Sequence, residues 1–143
     1  ARNDIKHIDR QYLALATGII TPTKGSINAP IARHPDSIIE RMVSLDGQDA
    51  TTCYKVLKSL RNTSLVQLTL LTGRTHQIRV HLSHIGHPLL GDDLYGGSKE
   101  LIERQALHAA KLHFTHPVSG ETIDVSSPLP IDLLTLVDSL KNN

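Results

Sequence analysis

Tryptophan is absent from this sequence, and three tyrosines with one phenylalanine bring the aromatic share to only 3% of 143 residues. A surface that stacks several nucleobases in succession uses more rings than that. Each tyrosine therefore carries individual weight. A single cysteine, Cys53, excludes an internal disulfide framework and a cysteine-rich zinc module. It suits a reducing compartment and reads as a small buried hydrophobe. No apolar run reaches the roughly 18 residues of a membrane span, and Ala1 to Arg10 are polar and charged, unlike the apolar centre of a secretory signal. The expectation is a soluble, cytoplasmic protein with no membrane partner. Charge of one sign is lacking too: fifteen basic against fourteen acidic side chains leave a formal charge of +1. Any nucleic-acid site must then be a local patch, because the molecule has no strong overall field.

What is present suffices for one domain, since 39% of the residues are apolar and no repeat, low-complexity stretch or linker interrupts the chain. Tyr12 to Ala16 alternates as a strand, with Leu13 and Leu15 on one face and Tyr12, Ala14 and Ala16 on the other. Pro22, Gly25, Pro30 and Pro35 then break the chain into short extended pieces and turns, a hairpin at most. Met42 to Leu45, Thr51 to Leu57 and Val66 to Leu70 are separated by turns at Asp46-Gly47 and Arg61-Asn62-Thr63, which predicts an antiparallel meander. From Arg74 to Ile85 the period changes, and Ile78, Leu82 and Ile85 form one stripe at roughly 100° per residue, a helix of about three turns, with Gly86 and Pro88 as its stop. A short helix is expected over Lys99 to Arg104, strands over Leu107 to Phe114 and Thr122 to Val125 joined by a turn at Pro117 to Gly120, and a closing helix over Ile131 to Leu140 with its stripe on Leu133, Leu134, Val137 and Leu140. The pattern is that of an α+β domain, an antiparallel mixed sheet with a few flanking helices.

The densest polar cluster is Thr72 to His81. A helix that buries Ile78 and Leu82 sets Arg79 about 100° from Ile78, at the edge of the apolar stripe. There its planar, permanently charged fork can enter a cleft and meet a carboxylate or phosphate. The alternative is a surface arginine whose stem covers the core edge. His76, His81, His84 and His87 invite a metal, but their spacing places only His81 and His84 on one side, with no His-x-x-x-His pair and no cysteine pair. No metal and no cofactor are expected. Gly91-Asp92-Asp93-Leu94-Tyr95-Gly96-Gly97 reads as a structural turn whose acids cap backbone N–H groups.

The segment Leu71-Thr72-Gly73-Arg74-Thr75-His76-Gln77-Ile78-Arg79-Val80-His81-Leu82, followed by Ile85-Gly86-His87-Pro88 and then by Gly91 to Gly97, resembles the third motif region of the RluA-like family of RNA pseudouridine synthases. Tyr12-Leu13-Ala14-Leu15 with Gly18, Pro30-Ile31 with Arg33, and Ala50-x-Thr52-x-Tyr54-x-Val56-Leu57 extend the likeness before it. Arg104 to Ala109, His116-Pro117 and Ser127 to Pro130 continue it afterwards, so it runs in order over nearly the whole chain.

The resemblance implies isomerisation of uridine to pseudouridine in structured RNA, ribosomal or transfer RNA, without metal or cofactor. The base is cut from the ribose at nitrogen 1, turned, and rejoined through carbon 5. It also implies that Tyr12 stacks on the base, that Arg79 pairs with the catalytic aspartate, and that Arg74, His76, Gln77 and Arg33 contact the RNA. That aspartate belongs, in the family, to an earlier His-Arg-Leu-Asp segment, which does not occur in these residues; Asp4 and Asp9 stand in a different context. Gln48 occupies a place where the family commonly has lysine. Residues 1–143 are therefore expected to be the C-terminal portion of a catalytic domain, inactive alone. The alternative is a non-catalytic RNA-binding protein derived from the same family.

Overall fold

A computed structural model describes residues 9–115 and 118–141. Most of the polar start, Asp4 included, and the His116-Pro117 pair lie outside the described residues. The described residues form eight strands: β1 (Asp9–Thr17), β2 (Lys24–Asn28), β3 (Ile31–Arg33), β4 (Arg41–Val43), β5 (Thr51–Leu60), β6 (Thr63–Leu70), β7 (Leu107–Thr115) and β8 (Thr122–Ser126). Among the described residues two α-helices, α1 (Gln77–His84) and α2 (Ile131–Ser139), accompany them. Six strands form one sheet in the order β2-β5-β6-β1-β7-β8, every pair antiparallel, so the expected mixed sheet is antiparallel throughout.

The alternation along β1 decides the layering. Ala14 and Ala16, with Val66 and Leu68 of β6, meet Ile78 and Leu82 of α1 on one face. Leu15 meets Leu133, Leu136, Val137 and Leu140 on the other. Each helix thus covers one side of the sheet and removes its apolar face from water. The small alanines of β1 let α1 approach the central strand, which places the helix start near Tyr12.

Five expectations differ from what forms. The meander holds for β5 and β6, which a turn at Arg61-Asn62 joins, but β4 pairs back onto β3 in a separate two-stranded sheet, because β5 already has β2 and β6 as neighbours. Helix α1 starts at Gln77 and not at Arg74, because His76 takes a left-handed conformation (φ 57°, ψ 22°) that a right-handed helix cannot include. Its end forms as expected: Gly86 N–H donates to Ser83 O and His87 N–H to Leu82 O, the paired bonds of a glycine-terminated helix. No helix forms over Lys99 to Arg104; the short 3₁₀ turn lies earlier, at Asp93–Tyr95. On α2 the buried stripe uses Leu136, while Leu134 is 48% exposed, because Leu133, Leu136, Val137 and Leu140 follow the i, i+3, i+4, i+7 rule and Leu134 does not. Cys53 is half-buried on β5, so it is not the core residue expected.

Candidate active site

Tyr12, Arg74, His76, Gln77 and Arg79 line one cleft of about 170 Å³ together with Leu70, Ile78 and Leu107. Tyr12 reaches it from the central strand, between Leu68 of β6 and Ala109 of β7. The register of β1 against β7 shifts between Gln11 and Tyr12, so a bulge with Ala110 unpaired sits beside the tyrosine. Bulges re-aim side chains at sites of this kind. The Tyr12 hydroxyl has no hydrogen-bond partner among the described residues, and its half-buried ring borders the opening.

Arg79 is held on two sides. Its Nε donates to Asp92 Oδ2 at 3.0 Å and its Nη2 to Asp92 Oδ1 at 2.9 Å. Its guanidinium also lies 5.0 Å from the centre of the Tyr95 ring, a cation–π contact. Asp92 is fully buried, while the arginine side chain keeps 17% exposure. The hydrogen bonds to Asp92 push the arginine pKa upward against the opposing effect of burial, so the group is always charged. Nη1 makes no hydrogen bond among the described residues and is the part of the fork left to meet another group. Asp92 does not serve as the turn cap its sequence context suggests, because its carboxylate makes no capping bond and is given to Arg79.

Tyr95 joins the two parts of the site. Its hydroxyl accepts the Arg41 backbone N–H at 2.8 Å and lies 2.7 Å from His76 Nδ1. Burial raises the tyrosine pKa, so the phenol keeps its proton. Burial, then the charges of Arg79 and Arg41, lower the His76 pKa. The ring is therefore neutral.

Gln77 borders the cleft, but its amide belongs to the fold. Oε1 accepts from Thr72 Oγ1 (2.7 Å) and Arg74 N (2.9 Å), and Nε2 donates to Thr51 O and Thr52 Oγ1, both at 3.0 Å. The hydrogen-bonding positions of the Gln77 amide are thus occupied within the fold, although the residue still lines the cleft. The same network continues into His81, wholly buried, whose Nε2 donates to Ala29 O and whose Nδ1 accepts from Thr52 Oγ1, each at 2.8 Å. Burial lowers the His81 pKa and keeps it neutral.

Arg33 lies outside this cleft. It lines a second cavity with Arg41 and Arg74, and Arg74 alone borders both. Sequence reasoning missed Asp92 and Tyr95 as parts of the site. The available signal was their spacing within a glycine-bracketed run, Gly91 to Gly97, in a chain with only three tyrosines. Gly91 takes φ +78°, and a Cβ there would strike the carbonyl oxygen of Arg104, so the turn that buries Asp92 requires glycine.

A family model described as RNA pseudouridylate synthase matches residues 2–84. The chain is 49% identical over 130 residues to the uncharacterized RNA pseudouridine synthase YjbO of Bacillus subtilis, covering 91% of this chain and 46% of that one. It is 43% identical over 152 aligned positions to ribosomal large subunit pseudouridine synthase D of Haemophilus ducreyi, covering 96% and 46%. The chain thus spans about half the length of the curated relatives it matches. Among solved structures, Human RNA Pseudouridylate Synthase Domain Containing 1 superposes with a TM-score of 0.78 at 29% identity, over 97% of this chain and 68% of that one.

Proposed function

This chain belongs to the RNA pseudouridylate synthase family, and on that premise we propose that residues 1–143 form the C-terminal portion of a catalytic domain that isomerises uridine to pseudouridine in structured RNA. The observation that carries the reading is the shared cleft of Tyr12 and Arg79, in which the arginine is fixed and charged with Nη1 still unbonded. In the reaction the N1–C1′ bond breaks, the C5–C1′ bond forms, the C5 proton leaves to water, and N1 takes up a proton from water. Tyr12 stacks on the uracil. Neutral His76 borders the base, and Nη1 of Arg79 holds the carboxylate that acts at the sugar in its ionised form. That carboxylate comes from a His-Arg-Leu-Asp segment that these residues do not contain.

Ribosomal RNA is the favoured substrate, because relatives at 41–44% identity carry the name ribosomal large subunit pseudouridine synthase D; transfer RNA is the alternative. The lone cysteine supports a cytoplasmic setting.

The test uses RNA tritiated at carbon 5 of uridine. The longer protein releases tritium, and this chain alone does not; release by this chain alone would overturn the need for the absent aspartate. Arg79→Ala in the longer protein abolishes release while changing RNA affinity modestly. Equal losses of rate and affinity would make Arg79 a phosphate anchor instead.

A further inference from the structure

The two-stranded sheet places Arg33 of β3 directly opposite Arg41 of β4. Side chains directly opposed in an antiparallel pair share a face roughly 5 Å apart, and like charges there repel. Fold stability gives no reason for that pairing. Arg74 enters the same cavity from the segment before α1, its Nε anchored on Asp49 O at 2.8 Å. The cavity, of about 320 Å³, is open to solvent and lined further by Gln48, Thr75 and Asp46.

No ion pair among the described residues neutralises any of the three arginines. Arg41 Nη1 reaches only the carbonyls of Ile39 (3.2 Å) and Glu40 (3.4 Å), while the Glu40 carboxylate faces His34 at 3.5 Å. Asp46, the one carboxylate on the lining, is beyond ion-pair distance of all three. Three guanidinium groups against one carboxylate is a large local excess in a chain whose formal charge is +1. Planar forks of donors converging on an open, uncompensated cavity suit the oxygens of a phosphate.

We propose that Arg33, Arg41 and Arg74 form one cradle for a backbone phosphodiester of the RNA strand whose uridine enters the Tyr12–Arg79 cleft. The cradle adjoins that cleft through Arg74, which borders both. The cradle rests on the functional reading above for its occupant, and it adds Arg41 and a defined phosphate position next to the target base. Replacing the Arg41 side chain leaves intact its backbone N–H bond to Tyr95, so the cradle can be altered without dismantling the site.

Binding of this chain to a fluorescein-labelled stem-loop RNA with uridine in its loop is measured by anisotropy over a series of salt concentrations. Arg41→Gln is expected to lower affinity roughly tenfold near 0.1 M salt, and to flatten the plot of log K against log salt by about 0.7–0.9, because one phosphate fewer is neutralised. Lys58→Gln, an exposed basic residue of β5 that does not line the cavity, is expected to change neither. Unchanged affinity and slope in Arg41→Gln, or an equal drop in Lys58→Gln, overturns the cradle. So does absence of RNA binding by the unaltered chain. Tritium release separates the two readings: release by the longer protein with no effect of Arg41→Gln on binding removes the cradle alone. A flattened slope in Arg41→Gln without any release removes the isomerase and leaves the cradle.

Discussion

Asp92, with no exposure at all, receives two hydrogen bonds from the edge of the Arg79 guanidinium, 2.9 and 3.0 Å long, and makes the arginine a fixed part of the cleft wall. A buried ion pair of this kind adds little net stability, but removing one partner leaves the other charge uncompensated. Asp92→Ala is expected to destabilise the chain by about 3 kcal/mol, at the low end for such pairs because Arg79 keeps some water. Urea denaturation reads the change, and a double-mutant cycle with Arg79→Met isolates the pair. A change under about 0.5 kcal/mol, the level of an ordinary surface substitution, would show that the pair does not persist in solution.

Acid is expected to weaken the fold through its neutral histidines. Burial lowers the pKa of both His81 and His76, so the unfolded chain binds their protons more readily than the folded one. Stability is therefore full above the unfolded histidine pKa of about 6.5 and declines as pH falls below it, by up to about 1.4 kcal/mol per pH unit for His81. The half-exposed His76 contributes less. Denaturation midpoints measured from pH 8 to pH 5 check this. Greater stability at pH 5 than at pH 7.5 would contradict it.

Gln77 offers a direct test of an amide used by the fold. Gln77→Ala leaves Thr72 Oγ1, the Arg74 N–H and the Thr51 carbonyl without the partners they have now. Such vacancies in a buried network cost roughly 2–4 kcal/mol. Urea denaturation without RNA present is the measurement. A residue whose amide served RNA would show almost no change there and a large change in binding.

Two glycines in one loop separate backbone strain from steric conflict. Gly91 and Gly96 both have positive φ, +78° and +98°, yet a Cβ on Gly91 would strike Arg104 O while one on Gly96 would meet nothing within 4 Å. Gly96→Ala is expected to cost roughly 1–2 kcal/mol from the left-handed backbone alone. Gly91→Ala should cost clearly more and release Asp92 from Arg79, seen as faster proteolysis between residues 89 and 98. Equal effects would mean that the loop adjusts freely.

Local pattern carried far in this protein. The alternation of Tyr12 to Ala16 determined which residues of β1 face each helix, and the Ile78-Leu82 stripe determined the buried side of α1. Those are properties of neighbours along the chain, governed by periods of two and about 3.6 residues. Arg79 at the edge of that stripe follows from the same arithmetic. The partner of Arg79 does not, since Asp92 lies thirteen residues on and becomes a ligand only when the Gly91 turn folds inward. The pairing of β4 with β3 was also undetermined locally, because strand choice depends on which edges of β5 are already taken. Nothing in the spacing of Arg33, Arg41 and Arg74 along the chain joins the three. Only the tertiary structure, by closing a short hairpin against the segment before α1, brings their charges to one cavity, since electrostatic convergence depends on distance in space and not on spacing along the chain.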